Sequence, residues 1–539
     1  MWQLKQVDSE ALVMDLAKSA NIHPALARIL YVRDIKTKEQ VNQFFNATLD
    51  DLHPIDTLPD VKLGIGRIQQ AIKNKEKIVI WGHEDLDGIT SVLILYETIR
   101  AIQGLPLYHI PTKGKDKHGL SIEKAKEFAQ AGVKLIITVD CGITNINEVK
   151  AIQDMGIDVI VTDHHEVLDT LPQAVANINP KRKDSQYLFS FLAGCGIALK
   201  LAIALVDRHL GISVKELFAL KPDFLSYLAL GTISDRVPLI DENRILARFG
   251  MAQMANVKNP AIRAILEITK TDAQKLTNDR FFSDIIPVFS SANGNTACDY
   301  FLNKDYDQCL QWSGELLKQS QEWREEAKDN LALAETIADI TPGLIIVRDQ
   351  RLSLKVLGHI AGKFKDRHQL PVLALGLKDD EWVGECRGIN GVDLIALLKA
   401  HSSFFSAYGG HKKACGFTVA DKVVDKFIIS AKKYAKEHFA GNIIKENRII
   451  PDAELSLHEL NQDFLKLLPF GESNPAPVLI SKNTALVKLN NRLMLSDRPD
   501  LEIRNNSDQP INGDKPSVNL LYSFDENLVI TILKIENQT

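Results

Sequence analysis

KIVIWGHEDLDGITSVLILY, residues 77–96, joins an apolar β-type run to an apolar helix-type run and puts His83, Glu84, Asp85 and Asp87 in the joint between them. Carboxylates crowded in this way repel one another, so either water solvates them on an exposed turn or a cation holds them together. Asp-Gly alone reads as an ordinary turn. The rest of the chain decides between the two.

Working outward, VKLIITVD (133–140) and IDVIVTD (157–163) repeat the pattern of 77–81: short, β-rich and continuously apolar, separated by the helix-like stretches SVLILYETIRAI, SIEKAKEFAQAG and NEVKAIQDMG. Strands that read apolar on both faces and alternate with helices predict an α/β fold with a parallel sheet covered on both sides. The first 60 residues carry helical periodicity, and so does most of 194–280. Residues 306–340 read as one long charged helix of the kind that bridges domains. A second α/β unit follows, carrying GLIIVRD, LPVLALGL, EWVGECRG and GGHKKACGFTV, and beyond about 445 only short β-type runs remain. The expected organisation is a helical lead-in (1–60), a parallel-sheet domain (61–300), a linking helix (301–340), a second α/β domain (341–440) and a small C-terminal β-barrel (441–539).

Composition bounds the function. The 539 residues are 45% hydrophobic and 25% charged, ordinary for globular protein. No apolar run approaches the roughly 20 residues of a membrane span, and MWQLKQVDSE lacks the layout of a signal peptide, which predicts a cytoplasmic protein with no membrane partner. Six scattered cysteines without a C-x-x-C pair predict reduced thiols rather than a disulfide framework or a thiolate zinc site. The net charge of −5 argues against nucleic-acid binding through bulk electrostatics. Its distribution can override the total, although charge runs are usually solvated faces. Residues 401–448 hold nine Lys/Arg against four Asp/Glu, with shorter basic clusters at Lys113, Lys115, Lys117 and at Lys181, Arg182, Lys183.

Three successive predicted strands end on acids or histidines: the first on His83, Asp85 and Asp87, the second on Asp140, the third on Asp163, His164 and His165. Ligands of open parallel sheets bind outside the carboxyl ends of the strands, so these residues converge despite their separation in sequence. Asp235, after an apolar helix-like run, is a fourth candidate. Oxygen and imidazole ligands without thiolate favour manganese over magnesium or calcium. Six such side chains suit two ions about 3.5 to 4 Å apart, an arrangement adapted to in-line hydrolysis at phosphorus.

HEDLDGITS (83–91), VDCG (139–142), TDHHE (162–166) and SDRVPL (234–239), in that order, resemble the four phosphoesterase motifs of the DHH superfamily. YGGHKKACGF (408–417) resembles the Gly-Gly-His motif of the DHH-associated domain. LARILYVRDIKTKEQVNQFF, LGTISDRVPLIDENRIL and LPFGESNPAPVL are similar to the RecJ exonuclease family within it. The resemblance implies that His83 and Asp85 hold one manganese ion, that Asp87, His164 and Asp235 hold the other, and that Asp140 bridges them, with magnesium as the second choice of metal. It implies Asp163 as the acceptor that orients the histidines and His165 as the group facing the scissile phosphate. Arg387, Gly409, Gly410 and His411 would hold a substrate phosphate. The implied fold is a DHH domain, a linking helix, a DHH-associated domain and an OB-like barrel. The implied activity is 5′ to 3′ exonucleolytic hydrolysis of single-stranded DNA in repair and recombination, alongside repair or replication proteins.

Two segments depart from the family. Asn295 stands in SSANGN where an arginine is expected, and RLSLKVLGHIAG (351–362) lacks a tryptophan-histidine pair. Both lie outside the metal motifs. Asn295 offers a neutral amide in place of a charged fork, which predicts a slower enzyme. Two other functions share the core: hydrolysis of short oligonucleotides, cyclic dinucleotides or pyrophosphate, and an inactive DNA-binding scaffold. The C-terminal β region speaks against the first, since a dinucleotide needs no long platform. The complete ligand set speaks against the second.

Overall fold

The computed structural model describes residues 2–112, 119–167, 170–276, 280–410, 412–441, 449–471, 474–489, 492–495, 497–507 and 517–537. They form two compact units, Met1–Leu317 with Ile450–Thr539 and Lys318–Ile449.

In the first unit, strands β1 (Lys77–Gly82), β2 (Leu105–His109), β3 (Val133–Val139), β4 (Asp158–Thr162) and β5 (Ala176–Ile178) form a sheet of order β2-β1-β3-β4-β5. All neighbours are parallel. Ile78, Val79, Ile80 and Trp81 are fully buried because each face of the sheet is covered. Ile78, Ile80, Leu135 and Ile137 pack with residues of the helices Val61–Lys73, Leu86–Ala101, Gly194–Leu210 and Asp223–Ser234. Val79, Trp81, Ile136 and Val161 pack with Ala125, Val149 and Ile152 of the helices Ile122–Gln130 and Ile146–Asp154. A central strand with water on neither side has no reason to alternate polar and apolar residues, which is why it reads as an unbroken apolar run. This strand order places a topological switch point between β1 and β3, where loops leave in opposite directions and open a crevice.

The 60-residue helical lead-in does form helices, at Glu10–Ala20, Pro24–Tyr31 and Lys38–Asn46. Ser9 caps the first, and Thr37 with Gln40 forms a capping box on the third. Their apolar faces are buried in one core with the C-terminal sheet: Val13, Leu16, Leu26 and Leu30 pack with Leu455, Leu457, Leu479 and Tyr522.

In the second unit, β6 (Asp339–Thr341), β7 (Leu344–Arg348), β8 (Val372–Lys378), β9 (Glu381–Arg387), β10 (Phe405–Gly410) and β11 (Ala414–Ala420) form a sheet of order β10-β11-β9-β8-β7-β6. The long helix is Tyr306–Ile337, and the division between the units falls inside it, after Leu317. The C-terminal region is a seven-stranded mixed sheet, β12 (Ala453–Glu454), β13 (Leu479–Thr484), β14 (Val487–Leu489), β15 (Arg492–Leu495), β16 (Arg498–Asn505), β17 (Val518–Phe524) and β18 (Ile530–Asn537), in the order β12-β13-β17-β18-β16-β15-β14. All six cysteines are free and buried. No helix among the described residues is long and apolar enough to cross a membrane.

Candidate metal centre

The loop after β1 turns directly into the helix Leu86–Ala101. Asp85 is its N-cap, with the side chain accepting from the Gly88 N–H at 2.9 Å. That geometry sets Asp87 in the first helical turn, fully buried, where its carboxylate accepts from the N–H groups of Gly194 (2.7 Å) and Cys195 (2.9 Å). These N–H groups begin the helix Gly194–Leu210, whose N-terminus favours a negative charge. Burial and the charge of Asp85 nevertheless hold the Asp87 carboxyl up at about 6.

Asp140 follows β3 with φ +59°, a left-handed conformation that aspartate tolerates better than most residues. Its N–H donates to Thr162 O at 3.1 Å, which extends the sheet pairing by one residue and leaves the side chain aimed into the crevice. Gly194 lies against it. A Cβ at Gly194 would stand 2.8 Å from Asp140 Cβ and 2.9 Å from its carboxylate, so the close approach requires glycine.

Asp163 follows β4 and is satisfied from four directions: the N–H groups of Ile143 (3.0 Å), His164 (2.7 Å) and His165 (3.0 Å), and the His165 ring, whose Nδ1 lies 2.8 Å away. Burial alone would raise its carboxyl, but these donors and the histidine charge outweigh it and hold Asp163 at about 2. The expected orienting role therefore applies to the ring of His165, whereas for His164 it acts through the backbone. Burial opposes protonation of His165 too, and the bond and charge of Asp163 overcome it and raise its pKa.

His164 is buried and points its Nε2 into a ring of carboxylates: Asp140 Oδ1 at 3.0 Å, Asp235 Oδ2 at 3.5 Å and Asp87 Oδ2 at 3.9 Å. Burial, followed by the charge of His165, lowers its pKa to about 3, so the ring is neutral. Asp235, the C-cap of the helix Asp223–Ser234, is raised to about 8 by burial and by Asp87 and Asp85. Burial and the charges of Asp85, Asp87 and Asp235 push Asp140 well above the usual carboxylate range. On the other side, His83 Nδ1 lies 3.1 Å from Asp85 Oδ2. Burial lowers His83, and the bond and charge of Asp85 override that to about 9.

Two three-residue groups emerge with ligand atoms within 4.8 Å of one another: His83, Asp85 and Asp140, and Asp87, His164 and Asp235. A third joins Asp140, His164 and His165. Asp140 Oδ1 and His164 Nε2 are both buried and make no hydrogen bond, although they face each other at 3.0 Å. Two buried polar atoms left without a hydrogen bond among further buried acids are costly, so this donor set fits divalent ions. The structure thus brings all six ligands expected from sequence together. The residues that sequence reading missed are those that aim them: Gly194 and Cys195 for Asp87, and Ile143 for Asp163. The only sequence signal for the first pair was the glycine-rich AGCGIA (193–198) at a helix start.

The expected phosphate-holding residues lie in the second unit. Arg387 ends β9 and bonds Glu385 (3.0 Å) and Cys386 O (2.8 Å). Its register partner on β11 is Ala414, and Gly410 on β10 pairs with Cys415 beside it. A Cβ at Gly409 would meet nothing within 4 Å, so packing does not require glycine there. His411 and the cluster at Lys113, Lys115 and Lys117 lie outside the described residues. Asn295 has a structural partner: its Oδ1 accepts from the Ile110 N–H at 2.8 Å, just past β2.

Residues 77–232 match the DHH family, N-terminal domain, and 341–437 match the DHHA1 domain. Single-stranded-DNA-specific exonuclease RecJ of Dickeya dadantii is 30% identical over 482 residues, covering 84% of this chain and 83% of the relative. RecJ of Bacillus subtilis is 27% identical over 530 residues, covering 94% of this chain, which spans 65% of that longer relative. The solved structure of Thermus thermophilus RecJ with Mn2+ matches 100% of this chain and 80% of its own at a TM-score of 0.81 and 20% identity, a likeness of fold. With 30% identity to a relative covered over four-fifths of its length, this chain belongs to the RecJ family of exonucleases.

Proposed function

We propose that this protein hydrolyses single-stranded DNA from the 5′ end, releasing mononucleotides, with two manganese ions held by the acid cluster and magnesium as the weaker substitute. The observation that carries this reading is the pair of ligand groups, His83, Asp85 and Asp140 on one side and Asp87, His164 and Asp235 on the other, with Asp140 Oδ1 3.0 Å from His164 Nε2 between them. When bound, such ions activate water and neutralise charge on the phosphoryl oxygens.

The protein's own part is positioning. The N-terminus of the helix Gly194–Leu210 pins Asp87, and Asp163 fixes the rotation of the His165 ring, which is partly exposed at the mouth of the cluster and set to donate to a phosphate oxygen. His164 presents a neutral nitrogen, the form a metal requires. In this scheme 61–300 carries the chemistry, 341–440 holds a substrate phosphate through Arg387, Gly409, Gly410 and His411, and 441–539 acts as the OB-like platform for the strand. Repair or replication proteins are the partners that fit such an activity.

The test is a substrate panel with manganese: single strand, duplex and dinucleotide. Preference for the single strand over both others supports the proposal. Cleavage of dinucleotides alone replaces it with a small-substrate hydrolase, and no cleavage of any phosphodiester replaces it with a scaffold.

A further inference from the structure

A second charged site lies away from the acid cluster, where the N-terminal helices, the helix Asp241–Gln253 and Asn474 enclose a pocket of about 290 Å³. Arg33, Arg244 and Arg248 line it, with apolar walls from Ile35, Phe44 and Ile245. Each guanidinium is held only by uncharged oxygens. Arg33 bonds Asn474 Oδ1 and Pro475 O (2.7 Å). Arg244 bonds Phe44 O (3.0 Å), Leu467 O (3.1 Å) and Lys466 O (2.8 Å), with the Phe44 ring 3.8 Å away. Arg248 bonds Phe45 O (2.6 Å) and Ala47 O.

Among the described residues no carboxylate pairs with any of the three. Asp241 borders the pocket but lies 2.9 Å from His53 Nε2. A guanidinium has five N–H donors, so these bonds leave about half of the donors unassigned. Burial lowers Arg33 to about 10, with the charge of Asp452 opposing, and burial followed by the other two guanidiniums lowers Arg244 to about 9. Three like charges gathered with only Asp241 and Asp452 as nearby acids form a local positive field inside a low-dielectric wall.

We propose that this pocket binds an oxyanion of the phosphate class. Planar, permanently charged forks converging on one volume suit a tetrahedral anion better than any neutral ligand. The helix Asp241–Gln253 begins six residues after Asp235, so the same short segment, 235–241, connects the acid cluster to the pocket wall. Free phosphate, a mononucleotide and a phosphodiester of a strand all present this chemistry.

The experiment is calorimetric titration of inorganic phosphate, thymidine 5′-monophosphate and an oligothymidylate into the full chain. EDTA excludes divalent ions, ionic strength is held constant, and an R387Q background removes the other phosphate position proposed above. Saturable phosphate binding, weakened at least tenfold by either R33Q or R248Q, is the expected result. Circular dichroism and melting confirm that each variant is folded, and R33K, which keeps the charge without the fork, retains weaker binding. An oligomer affinity that falls in the same variants identifies a strand phosphodiester as ligand; an oligomer affinity unchanged by them, with phosphate binding lost, identifies the free ion or mononucleotide. Absence of saturable phosphate binding, or equal binding in R33Q and R248Q, overturns the proposal. Because no divalent ion is present, this result stands apart from success or failure of the nuclease reading.

Discussion

Replacing Asp140 by asparagine separates the two things this carboxylate does. Asp140 is 2% exposed and shares a ligand group with Asp85, their oxygens within 4.8 Å. With both ionised, two negative charges at that distance would repel by about 3 kcal/mol at an effective dielectric near 20, a cost that the metal-free protein meets by holding a proton on Asp140. The Asp85 side chain is 47% exposed, so screening reduces this to roughly 1 to 2 kcal/mol. Asp140→Asn removes that cost, and the new amide has His164 Nε2 at 3.0 Å from the replaced oxygen as an acceptor. The metal-free variant is therefore expected to be more stable than the metal-free parent by about 1 kcal/mol in urea unfolding. The same change removes the carboxylate that belongs to the His83 group and also reaches His164 of the other, so turnover with saturating manganese falls by about 10³-fold or more, equivalent to about 4 kcal/mol. Activity above about a tenth of the parent refutes the bridging role. A metal-free variant less stable than its parent refutes the repulsion.

Stability of the metal-free protein also depends on pH. Burial raises Asp87 to about 6 and Asp235 to about 8, so the folded chain binds more protons than the unfolded one, and stability falls as pH rises from about 4 to about 8. Saturating manganese flattens that slope in thermal melts; an unchanged slope contradicts the ligand assignment. Gly194→Ala drives a methyl into Asp140 and is expected to cost about 1 to 3 kcal/mol and weaken manganese binding together, where stability loss with unaltered metal affinity would detach Gly194 from the site. Asn295→Arg breaks the bond to Ile110 and loses about 1 kcal/mol in the same melts; a variant as stable as the parent shows that bond to be dispensable. Affinity for a long single strand decreases with salt by about 0.7 log units per log salt for each phosphate neutralised, and a flat salt profile in a filter-binding assay rejects phosphate tracking.

The site was more legible than the architecture around it. Strands buried on both faces announce themselves as apolar runs, so β1, β3 and β4 were readable, and with them the position of His83, Asp140 and His164 at one sheet edge. β2 and β5 were not. LPLYH carries a proline on an edge strand whose Leu105 and Leu107 are 47% and 41% exposed, and ANI is three residues long. The N-terminal helices showed apolar faces in the sequence, but periodicity says that a face is buried without saying against what, and their partner is more than 400 residues away. The hydrogen bonds from Gly194 and Cys195 to Asp87 span over 100 residues for the same reason. Asn295 marks the opposite limit. Its departure from the family was visible, while its bond to Ile110 depends on a loop register that no local pattern encodes.

End-labelled single strands test the central claim most directly. With manganese and limiting enzyme, a 5′-labelled strand should release its label at once as a mononucleotide, while a 3′-labelled strand of the same sequence shortens through a ladder of intermediates. Both signals should vanish in Asp140→Asn. Immediate mononucleotide from the 3′ label, internal fragments from both, or undiminished release by Asp140→Asn would contradict a 5′ to 3′ exonuclease built on this acid cluster.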